Sequence, residues 1–448
     1  MVRFPYLLYR HTTAIKFWLF RRILPSGRGA LISAVISATM LMGSPIKPLY
    51  QLFALLFGLC SVALAWAWFR RAHLHVQRNL PTASVVGVPL HYDVLVTNHG
   101  RSLPHWSLQE TAPDPRPAFA QFAHSREPGE ARRNHFDRAL GFHRWQWLLH
   151  QNQKFVGGQS PPQDPLAKEM TVRVPITLTP QKRGALPLHD LRVLLPDPFR
   201  FFQRARSVQT AHDSIIVLPR RYPWPACPLS RLGHRHHDGE LTASLKKGSH
   251  GEFAALREYR RGDPPRLIHQ KSWARLGRPV VVEWEELSLP RFALVLDTFA
   301  QGAEAEFEVA VSVAASLISD ADSAEAWIER LILGDQGMVS APAHGRHSSQ
   351  KLLESLALVG ISTKEDFPGL RETISRQSAN LSGVVMIFCQ WSESRARFLE
   401  QIQSTGLAVI ALCVEHGEAP RTDEIHRIRP QHVAQDLQSL ASFAAHSA

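Results

Sequence analysis

The sequence predicts a multidomain chain with an N-terminal transmembrane α-hairpin, a β-sandwich domain and a doubly wound α/β domain. Three observations predict it. Two charge-free apolar runs lie within residues 29–69, period-two alternation takes over from about residue 73, and strand and helix patterns alternate from about residue 290. At 448 residues the chain exceeds what one core sustains, so two or three soluble domains are expected beside the anchor.

The hairpin comes first. Eighteen residues between Arg28 and Lys47 (GALISAVISATMLMGSPI) and twenty-two between Lys47 and Arg70 (PLYQLFALLFGLCSVALAWAWF) carry no charge. A helix rises about 1.5 Å per residue, so the shorter run covers roughly 27 Å of a ~30 Å hydrocarbon core. Trp66, Trp68 and Phe69 suit an interfacial aromatic belt, and Pro45 and Pro48 bracket the connection. A cleaved signal peptide fits poorly, because a second run follows directly and no small-residue cleavage site is evident. A buried soluble hairpin fits poorly too, since two such runs are rare in a soluble core.

Charge sets the expected sidedness. The net charge is +12, yet residues 1–92 hold ten Lys or Arg and no acid, and the remaining 356 residues carry only +2. The pI near 9.9 is therefore a property of the anchor's flanks, and no nucleic-acid partner is needed to explain it. Arg3, Arg10, Lys16, Arg21, Arg22 and Arg28 precede the first run, Arg70, Arg71 and Arg78 follow the second, and Lys47 alone lies between. The positive-inside rule then places both termini in the cytoplasm, a two-span protein of the bacterial inner membrane with the lipid bilayer as its first partner. The basic, aromatic tail (1–28) is expected along the headgroups, ahead of the hairpin at 29–70. The scattered cysteines Cys60, Cys227, Cys389 and Cys413 imply no disulfide framework.

Across 73–220, PLHYDVLVTNHG, MTVRVPITLTP, ALPLHDLRVLLP and SIIVLP read as strands of an antiparallel β-sandwich, with an inserted, partly helical excursion near 112–168. Residues 221–250 read as a linker. Its His234, His236 and His237 beside Asp238 suit either a metal or a polar loop, and no second ligand pair stands at metal spacing. From 287 to 448, RFALVLD, AWIERLIL, GVVMIFC and LAVIALCV read as strands. Helices are expected at 304–319, 347–359, 366–379, 393–404 and 430–446, which makes a parallel α/β sheet.

Between them lies the densest local signal, GEFAALREYRRGDPPRLIHQKSWARLGRPVVVEWEE (251–286). Phe253, Leu256 and Tyr259 are spaced for one face of a short helix that Gly262 would end. Asp263 and Pro264 are suited to start a second helix, closed by Gly277, before the strand VVVEWEEL. One account is a structural connector with Arg257, Arg260, Arg261 and Arg266 paired to Glu258 and Asp263. The other is acid/base chemistry by Glu258, Asp263 and His269.

Glu252, Phe253, Leu256, Arg257, Glu258, Tyr259, Gly262, Asp263, Arg266, Ile268, His269, Lys271, Ala274 and Arg275 resemble the signature of a bacterial family catalogued as domain of unknown function fifty-eight. Gln270 stands where that pattern has Trp, and Trp273 follows three residues later. KRGALPLHDLRVLLPDPFRFF (182–202) is similar to the family's Arg-Gly and Asp-Pro-Phe segment, with Arg200 for its usual glycine, and YQLFALLFGL (50–59) is similar to its second span. The resemblance implies a membrane hairpin, a β-rich region, the signature and a von Willebrand factor A-like domain. It also implies association with MoxR-type AAA+ ATPases and transglutaminase-like membrane proteins.

Metal-binding von Willebrand A domains carry Asp-x-Ser-x-Ser after the first strand, because a hard cation wants clustered oxygens. Here that stretch is Asp297-Thr-Phe-Ala-Gln, a degenerate metal-site position from which no bound metal or other cofactor is expected. No Walker loop, Gly-x-Ser-x-Gly elbow or HExxH helix is present, and Arg261-Gly-Asp263 would face inward rather than meet an extracellular receptor. The expected function is a membrane-anchored, non-enzymatic scaffold or adaptor for a MoxR-type ATPase. The alternative is a membrane-tethered hydrolase or transferase using Glu258, Asp263 and His269.

Overall fold

The structure is a computed structural model. It describes residues 3–43, 47–208, 210, 213–224, 252–260, 263, 265, 268–285, 291–300, 302, 304–321, 327–334, 337–340, 346–362, 365–377, 381–415 and 425–446. The linker histidines, Cys227, Gly262, Pro264 and Arg266 lie outside them. The chain is multidomain, an apolar N-terminal helix followed by mixed sheets and helices, and it divides into two compact units, Met1–Leu218 and Pro219–Ala448.

The first unit begins with α1 (Arg3–Arg22), α2 (Pro25–Gly43) and α3 (Lys47–Phe69), of which α2 and α3 pack on each other. Among the described helices, α3 alone is long and apolar enough to cross a membrane. Its side chains are largely bare, Phe57, Leu64, Trp68 and Phe69 included. The weaker apolar character of α2 follows from Arg28 in its first turn and from three serines and a threonine along its length.

Ten strands follow: β1 (Leu74–Asn79), β2 (Ala83–Val85), β3 (Leu90–Asn98), β4 (Ser107–Glu110), β5 (Phe155–Gly157), β6 (Thr171–Pro180), β7 (Gly184–Leu188), β8 (Leu191–Pro196), β9 (Gln203–Val208) and β10 (Asp213–Leu218). They form three sheets, ordered β1-β3-β6-β5, β2-β10-β7 and β4-β8-β9. In β3 every second residue from Leu90 to Asn98 is buried, as its alternating sequence dictates. Trp106, Leu108, Leu166, Ile176, Leu191 and Val217 from all three sheets and their connections share one apolar core.

A buried polar group ties the sheets together. Arg78 and Glu110, both with fully buried side chains, pair through Nε and Oε1 at 2.9 Å and again through Nη2 and Oε2 at 3.0 Å. Tyr92 donates its hydroxyl to Glu110 at 2.5 Å, and Arg78 also reaches Asp213 at 3.3 Å. Burial, and then the neighbouring carboxylate, push the Tyr92 hydroxyl up from its ordinary value. It stays a donor, and every member of the group has a partner, the condition under which buried charge is tolerated.

The excursion carries three short helices, α4 (Phe119–His124), α5 (His135–Leu140) and α6 (Phe142–Asn152). They modify the expectation for the tail, because the N-terminal half of α1 docks on them. Tyr6 meets Phe119 and Trp145 edge-on, with centroids 5.3 and 5.8 Å apart, and Trp145 Nε1 donates to Thr13 at 3.1 Å. Tyr6 and Tyr9 lie three residues apart on one helix face, which the aromatic ring of Trp145 serves. Phe4, Leu8, Ile15, Trp18 and Phe20 remain exposed.

The joint between α1 and α2 is clamped to the turn between β8 and β9. The Leu24 amide donates to the Phe201 carbonyl at 3.0 Å, Ser26 donates to the Arg200 carbonyl, and Gln203 donates to the Arg21 carbonyl at 2.9 Å. A Cβ on Gly27 would lie 2.1 Å from the Phe201 oxygen, so only glycine permits this approach. Asp197 shapes the turn by accepting from the Phe199 amide at 2.7 Å. Arg200 sits at φ 57°, a left-handed conformation that glycine adopts freely and an arginine only at a cost.

The second unit opens with β11 (Glu252–Glu258), α7 (Gln270–Leu276) and β12 (Val280–Glu285), with β11 and β12 paired antiparallel. It continues as β13 (Arg291–Leu296), α8 (Glu304–Ala321), β14 (Trp327–Leu333), β15 (Gly337–Ser340), α9 (Arg346–Leu358), α10 (Phe367–Gln377), β16 (Gly383–Cys389), α11 (Glu393–Gln403), β17 (Ala408–Val414), β18 (Ile425–Ile428) and α12 (Val433–His446). These strands form one sheet, ordered β15-β14-β13-β16-β17-β18, parallel except for β15 at its edge. Alternate residues Ala293, Val295, Val384, Met386, Ala411 and Cys413 pack against Ile374 of α10 and Phe398 and Ile402 of α11. Helix α8, whose Val311, Ala314, Ala315 and Ile318 are buried, contacts β13, β14, β16 and β17 and takes no part in that cluster.

Residues 252–258 correct the helical expectation for Phe253, Leu256 and Tyr259. They form a strand because Val280, Val281 and Val282 offer a β-branched partner, a stronger claim than the local i, i+3 spacing. The helix expected to start at Asp263 and Pro264 falls largely outside the described residues. The described helix α7 starts at Gln270 with His269 as its N-cap, and Gly277 ends it at φ 68°.

Candidate functional site

The described residues of the 251–286 stretch occupy the β11–α7–β12 segment. Glu252 and Phe253 open β11, Leu256 is exposed, and the Tyr259 amide donates to the Pro279 carbonyl at 3.0 Å. Arg257 grips Asp263 with both terminal nitrogens, at 2.6 and 2.7 Å, and Asp263 also accepts from the Arg260 amide at 2.8 Å. Glu258 pairs with Arg278 at the surface. His269 Nδ1 lies 2.7 Å from the Ser272 hydroxyl, its amide donates to the Val280 carbonyl at 2.9 Å, and Lys271 and Arg275 are exposed on α7. Glu258, Asp263 and His269 thus each hold a different partner, and the contacts are those of a braced turn.

The second position is the carboxyl edge of the parallel sheet. The chain enters through β13, crosses to β14 on one side and returns to β16 on the other, which makes the ends of β13 and β16 the switch point where α/β sheets open a crevice. Asp297 stands there, 2% exposed. Its Oδ1 accepts from the Phe299 amide at 2.8 Å, and its Oδ2 takes Arg395 Nε at 2.6 Å. Arg395 Nη2 donates to the Phe299 carbonyl at 2.6 Å and Nη1 to the Ser392 hydroxyl at 3.1 Å. Ser392 caps α11, so the first turn of that helix aims the guanidinium.

The result is an internal cation on the aspartate. Phe299 contributes an apolar ring packed on Phe367 at 5.1 Å, and the buried Thr298 hydroxyl has no hydrogen-bond partner among the described residues. Among the described residues no group of three or more His, Cys, Asp or Glu converges as metal ligands. Thiol chemistry is disfavoured as well. Burial, and then the charge of Asp297, push the Cys389 thiol well up, and burial pushes Cys413 up to about 12.

Arg395 escaped the sequence reading, yet it left a signal. Arg395, Phe398, Leu399 and Ile402 follow the i, i+3, i+4, i+7 spacing of one helix face, and all four are buried. An arginine on an apolar stripe demands a buried carboxylate, and Asp297 at the end of an apolar strand is a fitting one.

No family model matches the chain, and no curated protein matches it. Among solved structures, the chain is similar to the ASH/PapD-like domain of human CEP192 (PapD-like domain 7) at 13% identity. That match covers 31% of this chain and 86% of that one, with a TM-score of 0.15, a likeness too slight to carry an argument.

Proposed function

We propose that the chain is a membrane-anchored, non-enzymatic adaptor of the domain-of-unknown-function fifty-eight type. In this reading α2 and α3 form a hairpin across a bacterial inner membrane, and both termini lie in the cytoplasm. The first unit's sheets act as a β-sandwich spacer, and the second unit is a von Willebrand factor A-like domain that offers a docking surface. The partner is a MoxR-type AAA+ ATPase, with a transglutaminase-like membrane protein as a further neighbour.

One observation carries the non-enzymatic part. The carboxylate at the sheet's switch point, where this architecture ordinarily keeps its chemistry, is closed by the Arg395 guanidinium. The bare apolar length of α3 and the arginines flanking it support the anchor and its sidedness.

Two measurements test the reading. Detergent-solubilised full chain, used as bait, is expected to enrich a MoxR-type ATPase of the same cell over an unrelated membrane bait; equal recovery removes the adaptor role. A reporter joined after Ala448 is expected to be active in the cytoplasm, and activity confined to the periplasm reverses the sidedness.

A further inference from the structure

Beside the end of α3 lies a cavity of about 480 Å³, lined wholly by residues of the first unit. Its lining combines the apolar Ile23, Leu64 and Ala67 with Arg22, Arg204 and Arg206 and the indoles of Trp18 and Trp68, and no lining residue is acidic. The Arg22 guanidinium stacks over Trp18 at 4.8 Å, and that of Arg204 over Trp68 at 5.9 Å. The Arg206 Nε is buried without a hydrogen-bond partner among the described residues. Three guanidinium groups therefore face one cavity with aromatic support and no carboxylate.

Such an arrangement is suited to an anion. Burial, and then the positive charges of Arg206, Arg22 and Arg71, press Arg204 below its ordinary value, the mark of cations crowded together. The composition of the lining matters more. It joins Leu64, Ala67 and Trp68 of α3 to the guanidinium groups of Arg22, Arg204 and Arg206, and tryptophans favour a membrane–water interface. A free phosphate matches only the cationic groups. A phospholipid matches both parts, its acyl chains the apolar side chains of α3 and its phosphate the arginines.

We propose that this cavity binds the phosphate headgroup of an anionic phospholipid, seated by Arg22, Arg204 and Arg206 and flanked by Trp18 and Trp68. The site rests on the reading of α3 as membrane-embedded. It adds a lipid preference to the anchor, which apolar burial alone does not create.

The test uses full-length chain, delipidated in a neutral detergent. It is titrated with phosphatidylglycerol or phosphatidylcholine in mixed micelles and followed by thermal unfolding and native mass spectrometry. Phosphatidylglycerol is expected to raise the unfolding midpoint and to stay bound at one copy, while phosphatidylcholine and millimolar inorganic phosphate do neither. Each arginine removed, in Arg204→Gln and Arg206→Gln, is expected to weaken the phosphatidylglycerol preference about five-fold, and the Arg→Lys pair to keep most of it.

Equal responses to the two lipids, or a preference that survives the double Gln variant, overturns the proposal. A response to inorganic phosphate that matches phosphatidylglycerol reassigns the site to a soluble anion. Failure of the anchor reads differently: wild-type chain then leaves the membrane in alkaline carbonate. If the chain stays in the membrane and shows no lipid preference, the cavity proposal alone fails.

Discussion

Removing the Arg395 guanidinium leaves Asp297 as a buried charge without its cation, and the structure sets the scale of the loss. The two side chains are 7% and 2% exposed, and the contact is a 2.6 Å charge-assisted hydrogen bond, so solvent cannot replace the partner. Breaking such a pair from one side costs about 3–5 kcal/mol, and Arg395→Met also frees the Phe299 carbonyl. The loss belongs to the second unit, so it is best read locally, by hydrogen exchange of the β13 and β16 amides in the full chain. With a factor of ten for every ~1.4 kcal/mol, exchange should accelerate roughly a hundred- to several-thousand-fold. The Asp297→Asn, Arg395→Met double variant should recover part of it, with a coupling of about 1–3 kcal/mol, because neither charge is then stranded. Unchanged exchange in Arg395→Met, or strictly additive effects, would falsify the claim that this guanidinium neutralises the switch-point carboxylate.

Three further outcomes follow from the packing. His426 is buried, with Nε2 2.6 Å from the Asp436 carbonyl, and burial lowers its pKa from the model-compound 6.5. The unfolded chain therefore takes the proton first, so this contribution to stability is complete above about pH 6.5 and shrinks as pH falls from there to the folded value. His426→Gln should flatten that part of the second unit's stability–pH profile, and an unaltered profile would count against it. Tyr6→Ala should release α1 from α4 and α6 and speed tryptic cleavage after Arg10, whereas Tyr6→Phe, which keeps the ring but loses the 3.3 Å bond to the Pro117 carbonyl and the 2.9 Å bond accepted from Arg10, should cost about 1–2 kcal/mol. Equal cleavage of all three forms would show that α1 is held elsewhere. At Arg200, glycine should be tolerated and valine should lower the unfolding midpoint of the first unit by roughly 1–2 kcal/mol equivalent, since φ 57° suits glycine and strains a β-branched residue.

What the sequence disclosed tracks how local each cause was. GVVMIFC and LAVIALCV read as strands because a parallel strand covered on both faces is apolar throughout, and they are β16 and β17. Four-residue β15 and β18 were missed, being too short to show a period. EFAALRE fits helix and strand spacing alike, and only its pairing with a segment more than twenty residues away decides the matter. The Arg78–Glu110 pair joins residues 32 apart on different sheets, and nothing near either one announces the other. At the candidate sites, Asp297 was legible from its place after an apolar strand. Its neutralising partner stands 98 residues away on α11, and the one local sign of it is an arginine within that helix's apolar stripe.

The grip on Leu24, Ser26 and Gly27 by residues 200–201 has a mechanical meaning. At the other end of the helix pair, four residues, Arg70 to His73, separate α3 from β1. The first unit is thus joined to its helices at two separate points and cannot swivel as cargo on a single leash does. Any tilt of the helix pair must be passed on as a rotation of the sheets. Helices and sheets of the first unit form one bracket, in which the heading of either part dictates that of the other.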